Sequence, residues 1–354
     1  MILTVGAAHR RDKHRSCHAS HAWPPPCRAA LSVAHAAWGC VVRHAIGSRM
    51  RILFITATRL GDAVLSTGLV EHLRQRHPDA RFTIACGPVA EGVFARLPNR
   101  DDTLVIEKRR FDLHWAGLWA TCLRPWDLAV DLRGSAVTLM LPARRRRIMR
   151  GGRRPGHRLA HLAGVLGLAE PPMPVIWTDE SDEARARALL PSGPLYVGLG
   201  PTANWSGKIW PAAQYAALFE AIASRHPNAV PVVFAGPGEA ESRMAAPLVA
   251  ALDSHAPIVL AGLEIPQVAA ALRRCALFVG NDSGLMHVAG AAGAPTLGLF
   301  GPSRVSEYGP TGPQTLACVA PGPEGHAPID QLAVETVLDG ALRLLQPGRV
   351  QAAA

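Results

Sequence analysis

From residue 50 onward the chain alternates short, wholly apolar runs with longer segments whose apolar residues recur every three to four positions. The short runs are rich in Val, Ile, Leu and Phe and read as strands buried on both faces. The periodic segments between them read as covering helices. RILFITAT (51–58) is the first predicted strand. After the turn at Leu60-Gly61-Asp62, the span 62–77 places Val64, Leu65, Leu69 and Leu73 on one helical face. Strands are predicted at 81–86, 103–106 and 127–132, with helices near 89–97 and 157–168. Pro171-Pro172-Met173-Pro174 interrupts this rhythm as a linker. The second half repeats it, with strands at 196–200, 230–236, 257–262, 276–281 and 295–301, the last expected to close the sheet. Helices are predicted after Pro211 and over 238–252, 265–274 and 283–293. The fold class is therefore α/β: two parallel-sheet domains facing a cleft, over 50–174 and 175–328. A last helix within 329–346 is expected to pack back on the first domain, followed by a tail at 347–354. Ligands of such sheets bind beyond the carboxyl ends of the strands.

Composition changes this picture mainly at the amino end. Hydrophobic residues make up 49% of the 354 and charged residues 18%, which excludes a mainly disordered chain. The net charge of +10 points to an anionic partner, but residues 1–49 carry +6 of it and residues 50–354 only +4. That first segment holds Pro24–Pro26 and no sustained period, so Met50 reads as the working start and 1–49 as a non-native or disordered extension. A signal peptide using Ala29–Val42 is disfavoured, because its lead-in is too long and His35 interrupts the apolar stretch. Cys17, His18, His21 and Cys27 fit no zinc-finger spacing. Cys86, Cys122, Cys275 and Cys318 lie in or near apolar stretches and read as small buried hydrophobes of a reducing compartment. No apolar run approaches the length of a membrane span, and a cytoplasmic protein is expected.

Candidate chemistry gathers at the predicted strand ends. Asn281-Asp282-Ser283-Gly284-Leu285-Met286-His287 follows an apolar strand and opens a helix. Ser283 suits an N-cap, Gly284 lets a ligand approach the backbone, and the helix start offers unpaired N–H groups with partial positive charge. Asp282 can accept from ribose or base, and His287, one turn along, can reach a phosphate. The competing reading is an ordinary cap with a surface histidine. Lys208, between Trp205 and Trp210, would face Ser283 as the second jaw of an anion clamp, or else be simply solvated. Glu239 and Glu241 can hold ribose hydroxyls or serve as first-turn acids. Asp62 is the carboxylate of the first turn and is placed to act as a base on an acceptor hydroxyl, or to serve as a helix-terminal acid. The arginines at 144–147, 150, 153 and 154 suit an anionic acceptor or an acidic leaflet; without aromatic interleaving they do not suggest nucleic acid. Gly198–Ala203 matches GxGxxA, but the helix begins only after Pro211, so a dinucleotide fingerprint is rejected. Gly207-Lys208 lacks the spacing and the Ser/Thr of a phosphate loop.

LGDAVLSTG, GKIWP, GPGE, and NDSGLMH followed by GAAGAPTLGLFGP occur in this order over about residues 50–345. Together they resemble glycosyltransferase family nine, the ADP-heptose:lipopolysaccharide heptosyltransferases. The resemblance implies a GT-B fold of two Rossmann-like domains, acceptor-binding over 50–174 and nucleotide-sugar-binding over 175–328. It implies inverting transfer with Asp62 as base and Lys208 neutralising the leaving diphosphate. It also implies donor contacts at Lys208, Asp282, Ser283, Gly284 and His287; beside these, Thr202, Asn204 and Glu239 are donor candidates, and Gly61, Arg144, Arg147 and Arg150 acceptor candidates, by their place in the chain and their charge. The donor would be ADP-heptose, with no obligatory cofactor or metal. The acceptor would be an anionic glycolipid, reached by a monomer in peripheral contact with the cytoplasmic face of the inner membrane. Gly68 stands where many relatives carry proline, and Thr202-Ala203-Asn204 lacks the paired threonines of one subgroup; both departures leave the sugar and acceptor open. A nucleotide-sugar epimerase of the same fold and a non-catalytic saccharide-binding protein are the alternatives.

Overall fold

The computed structural model describes residues 49–107, 113–151 and 155–346. The expected extension up to residue 48, Arg153, Arg154 and the tail at 347–354 lie outside the described residues. The first sheet is wholly parallel, built from β1 (Arg51–Ile55), β2 (Arg81–Cys86), β3 (Arg100–Val105), β4 (Trp126–Asp131) and β5 (Ala143–Ile148), in the order β3-β2-β1-β4-β5. Helix α1 (Leu60–Arg76) follows β1, α2 (Pro88–Glu91) follows β2, and α3 (Leu113–Thr121) and α4 (Val137–Met140) flank β4. The second sheet, also parallel, comprises β6 (Leu195–Gly200), β7 (Ala229–Ala235), β8 (Ile258–Ala261), β9 (Leu277–Asn281), β10 (Thr296–Phe300) and β11 (Thr315–Val319). Its order is β11-β10-β9-β6-β7-β8. In both sheets the order reverses between the first and fourth strands in sequence, and a crevice at that reversal is where such folds take ligands.

Two expectations are corrected, and the arginine run takes a definite place: Arg144–Arg147 lie within β5, an edge strand, where charge discourages pairing with another sheet. Arg146 turns inward, and its guanidinium donates to the carbonyls of Thr138 and Leu141. The strand at 295–301 does not close the second sheet, because β11 pairs outside it. The last helix, α12 (Val334–Leu345), does not return to the first domain; it packs on β9, β10, β11 and α7 (Ala212–Ala223). Val337, Ala341 and Leu344 thereby join Trp210, Tyr215 and Phe219 in the core of the second domain.

One apolar cluster runs through both sheets, from Ile52, Phe54 and Ile84 to Phe278 and Met286. It is carried by α1 packing on α10 (Gly284–Ala292), with α5 (Arg158–Leu166) beside α1. Helix α6 (Glu180–Leu189), which the sequence pattern had not marked, packs on α9 (Ile265–Leu272). Among the described residues, the opposite face of the first sheet carries only α3 and α4, over Leu53, Ile55 and Ala129. The four cysteines are buried as expected, and burial pushes their thiols up to about 11 to 12. Among the described residues no helix is long and apolar enough to cross a membrane.

Candidate active site

The second-sheet half of the site is built on Asn281, the last residue of β9 and wholly buried. Its Oδ1 accepts from the Trp210 backbone N–H at 3.0 Å and from the Tyr215 hydroxyl at 3.1 Å. The Trp210 ring meets Tyr215 edge-on at 4.9 Å, and its indole N–H donates to the Leu332 carbonyl at 2.9 Å. These bonds hold the loop after β6 against the end of β9. On that loop the single turn Ser206–Lys208 presents Lys208, whose Nζ lies 2.5 Å from Asp282 Oδ2. Ser283 occupies the N-cap of α10 with extended backbone, but its side chain makes no capping bond. The first-turn N–H groups of α10 therefore have no side-chain partner there and keep their capacity to bind an anion.

On the first-sheet half, Asp62 sits in the first turn of α1. Its Oδ1 lies 3.4 Å from Arg158 Nε, both side chains being about a fifth to a quarter exposed. Arg158 is the first residue of α5, and nothing in its sequence surroundings singled it out. His157 caps that helix, accepting the Leu159 N–H at Nδ1 while its Nε2 donates to the Gly309 carbonyl at 3.1 Å. That bond links the Asp62 side of the site to the second domain.

The amino ends of α1 and α10 abut through glycines. A Cβ on Gly61 would lie 2.9 Å from His287 Cδ2, and one on Gly284 would lie 2.8 Å from the Leu60 side chain. His287 is thus not a surface residue; it is 3% exposed, and its Nδ1 has no hydrogen-bond partner. Burial pushes its pKa down to about 4, against the opposing pull of Asp282 and Asp62. A neutral imidazole therefore stands between the two carboxylates.

The remaining expected residues are more dispersed. Thr202 is buried just past β6, whereas Asn204 is exposed. Glu239 points outward and pairs with Arg243 at 3.0 Å, at the start of α8 (Glu239–Ala251). Glu241 Oε2 accepts the Gly236 N–H at 3.3 Å. Arg144 pairs with Asp127 at 3.2 Å near the amino end of β5, the end opposite Asp62. Arg147 and Arg150 lie at and just beyond its carboxyl end, both exposed. Asp131, which sequence reasoning had passed over, is buried at the end of β4. It accepts from the backbone N–H groups of Arg133, Gly134 and Ser135 and from the hydroxyls of Ser135 and Thr138, shaping the loop beside β1.

Comparison with known proteins bears on the family and the fold. The model of glycosyltransferase family 9 (heptosyltransferase) matches residues 154–330, half of the chain. Lipopolysaccharide heptosyltransferase 2 of Salmonella typhimurium is 24% identical over 293 residues, covering 72% of this chain and 83% of that protein. The structure of a family 9 glycosyltransferase from Veillonella parvula superposes with a TM-score of 0.70 at 22% identity, covering 84% of this chain and 97% of that one. The E. coli ADP-heptose lps heptosyltransferase II superposes at 0.69 and 21%, covering 84% and 98%. The two parallel-sheet domains are those of the GT-B fold. With fold, motif order and family model in agreement, the chain belongs to glycosyltransferase family 9, the heptosyltransferase family, and is a glycosyltransferase.

Proposed function

We propose that this enzyme transfers heptose, or a related sugar, with inversion from an ADP-sugar to the lipopolysaccharide core or a similar lipid-linked saccharide. The observation that carries this reading is the meeting of two helix starts, one bearing Asp62 and the other following the Lys208–Asp282 pair. The donor diphosphate would lie over the amino end of α10 with Lys208 as its counter-ion. Asp62 would take the proton from the acceptor hydroxyl as its oxygen attacks the anomeric carbon. The bond from that carbon to the diphosphate oxygen breaks on the opposite face, and ADP leaves with both electrons. Negative charge grows on ADP during this step, where the Lys208 ammonium and the helix N–H groups are already in place. Arg158 would orient the Asp62 carboxylate.

Acceptor and membrane contact follow from the first domain. Arg147 and Arg150 lie toward the same sheet end as Asp62 and would receive an anionic saccharide. The thin outer layer leaves Trp119, Leu123, Leu139 and Met140 exposed, with Arg144 on the neighbouring edge strand. An apolar group beside arginine charge suits peripheral contact with an anionic leaflet. The test is ADP release from ADP-heptose with a truncated lipopolysaccharide acceptor. Asp62→Ala is expected to bind ADP normally while transfer falls by about 10²–10⁴. Unchanged turnover overturns the base assignment, and conversion of donor without acceptor would make the enzyme an epimerase.

A further inference from the structure

The chain leaves β10, passes through α11 (Val305–Tyr308) and returns as β11, an outermost strand of the second sheet. The backbone of β11 faces two ways. The Gln314 carbonyl accepts from the Thr296 N–H at 2.9 Å, and the Ala320 N–H donates to the Phe300 carbonyl at 2.8 Å. A parallel ladder bonds one neighbour at every second residue, so Leu316 and Cys318 also turn their peptide groups to β10. Thr315, Ala317 and Val319 therefore present N–H and C=O groups to the open edge, where no strand pairs among the described residues. The outer strands of the two sheets differ in how they are guarded. In the first sheet, β3 (RDDTLV) and β5 (ARRRRI) carry charges that oppose further pairing. In the second, β11 (TLACV) has no charge, proline or bulge, and its Ala317 and Val319 are exposed. The opposite edge strand, β8 (IVLA), is uncharged too but a residue shorter.

Along this edge β11 and α12 border a groove of about 320 Å3, lined by Leu316 and Cys318 of the strand and by Thr336, Asp339, Gly340 and Arg343 of the helix. Gly340 brings the helix close, since a Cβ there would lie 3.1 Å from Cys318 Sγ. Asp339 and Arg343 are exposed one turn apart, and neither has an ion-pair partner among the described residues. A strand that meets its own copy across a two-fold axis runs antiparallel to it, and each contact is made twice with roles exchanged. Centred on Ala317, such pairing sets Thr315 opposite Val319 and Leu316 opposite Cys318 of the second copy. The two Ala317 residues then exchange both of their outward hydrogen bonds. The same axis lays the two α12 helices antiparallel on one face of the sheet. An acid and a base one turn apart thereby meet their opposites, Asp339 of each copy facing Arg343 of the other. We infer that β11 is the seam of a symmetric dimer, in which two copies of this chain join their six-stranded sheets into one of twelve strands. The carboxyl ends of the strands point in opposite directions in this assembly, so each active site stays within its own chain. The dimer replaces the monomer expected from the sequence and holds whatever donor or acceptor the enzyme takes.

Sedimentation velocity on the full-length protein over a range of concentrations tests this, and the wild type is expected to pass from monomer to dimer. Ala317→Pro removes an N–H that makes no bond to β10, and proline is tolerated at such a position of an edge strand. It is expected to keep the wild-type melting curve and to weaken dimerisation about thirtyfold, because both central hydrogen bonds go at once. Asp339→Lys and Arg343→Glu are each expected to weaken it about three- to tenfold, since like charges then face each other. The double variant D339K/R343E exchanges the two charges and should return dimerisation to within about twofold of wild type. A merely structural loss would not be rescued in this way, so the charge variants decide the matter even should the proline variant not fold. A wild type that stays monomeric up to about 100 μM overturns the inference. A dimer that a folded Ala317→Pro leaves unchanged overturns it too, as do single and double charge variants that weaken association alike. Assemblies larger than two would show a contact that does not close on itself, and that result is equally fatal.

Discussion

The two halves of the site are held in different ways. On the second sheet, Lys208 rides on a loop anchored by Asn281, whose buried side chain accepts from the Trp210 backbone and the Tyr215 hydroxyl. On the first sheet, Asp62 stands at a bare helix start beside one half-buried arginine at 3.4 Å. A preorganised group costs little to position during reaction, whereas a loosely tethered one can follow its partner. On the proposed reading, the half that would hold the donor is built for constancy, and the half that would meet the acceptor leaves room for adjustment.

After the loss expected of Asp62→Ala, the largest effect comes from the rigid half. Lys208→Met should lower kcat by about 10²–10³, as the loss of one preorganised charge-stabilising group does elsewhere. It should also weaken ADP binding, read by calorimetric titration; an unchanged kcat would remove Lys208 from the transition state. Asn281→Ala should next destabilise the protein by about 2–4 kcal/mol, because two buried donors lose their acceptor. Denaturant unfolding measures this, and a loss well under 1 kcal/mol would show that the loop does not depend on Asn281. On the looser half, Arg158→Ala should cost less than about 1 kcal/mol of stability, since the pair is partly exposed. Its kcat should nevertheless drop several-fold with ADP binding unchanged; equal losses in both would make Arg158 a structural residue rather than a positioning one.

A pH-dependent effect lies at the junction. His287 has a folded pKa of about 4 against an ordinary 6.5, so the unfolded chain binds the extra proton more readily. The contribution of its burial is fully present above pH 6.5 and is lost as pH falls toward 4. Stability measured across that window should decline less steeply in His287→Gln. Identical slopes would show that the imidazole is not what the junction excludes from water.

Much of this fold is legible along the chain, for physical reasons that also explain the gaps. Strands buried on both faces announce themselves as unbroken apolar runs, so β1, β2, β6, β7, β9 and β10 were foreseen. The edge strand β5 has one side without a neighbour and tolerates ARRRRI, which carries no such signal, whereas β11 (TLACV) is apolar but too short to stand out between its Gly/Pro-rich flanks. Helix α12 shows clear periodicity, but periodicity reveals that a face is buried and not which surface buries it. At the site, motif order brought Asp62, Lys208 and Asp282 to light, because helix starts and strand ends can be located in sequence. Arg158 and Asp131 were missed because what they do depends on contacts that no local pattern encodes. The burial of His287 has no local signal because Gly61, which lets α1 approach it, lies in the other domain.

The hydrogen bond from the Trp210 indole to the Leu332 carbonyl has a consequence for biosynthesis. It joins residues 122 apart, and it steadies the loop that carries Lys208. A ribosome making this chain finishes the lysine and its neighbouring glycines long before it finishes the segment that braces them. Until residues 329–345 emerge and α12 packs on the second core, the Lys208 loop lacks this brace. On the proposed reading, the reacting groups are thus all synthesised before the segment that steadies one of them.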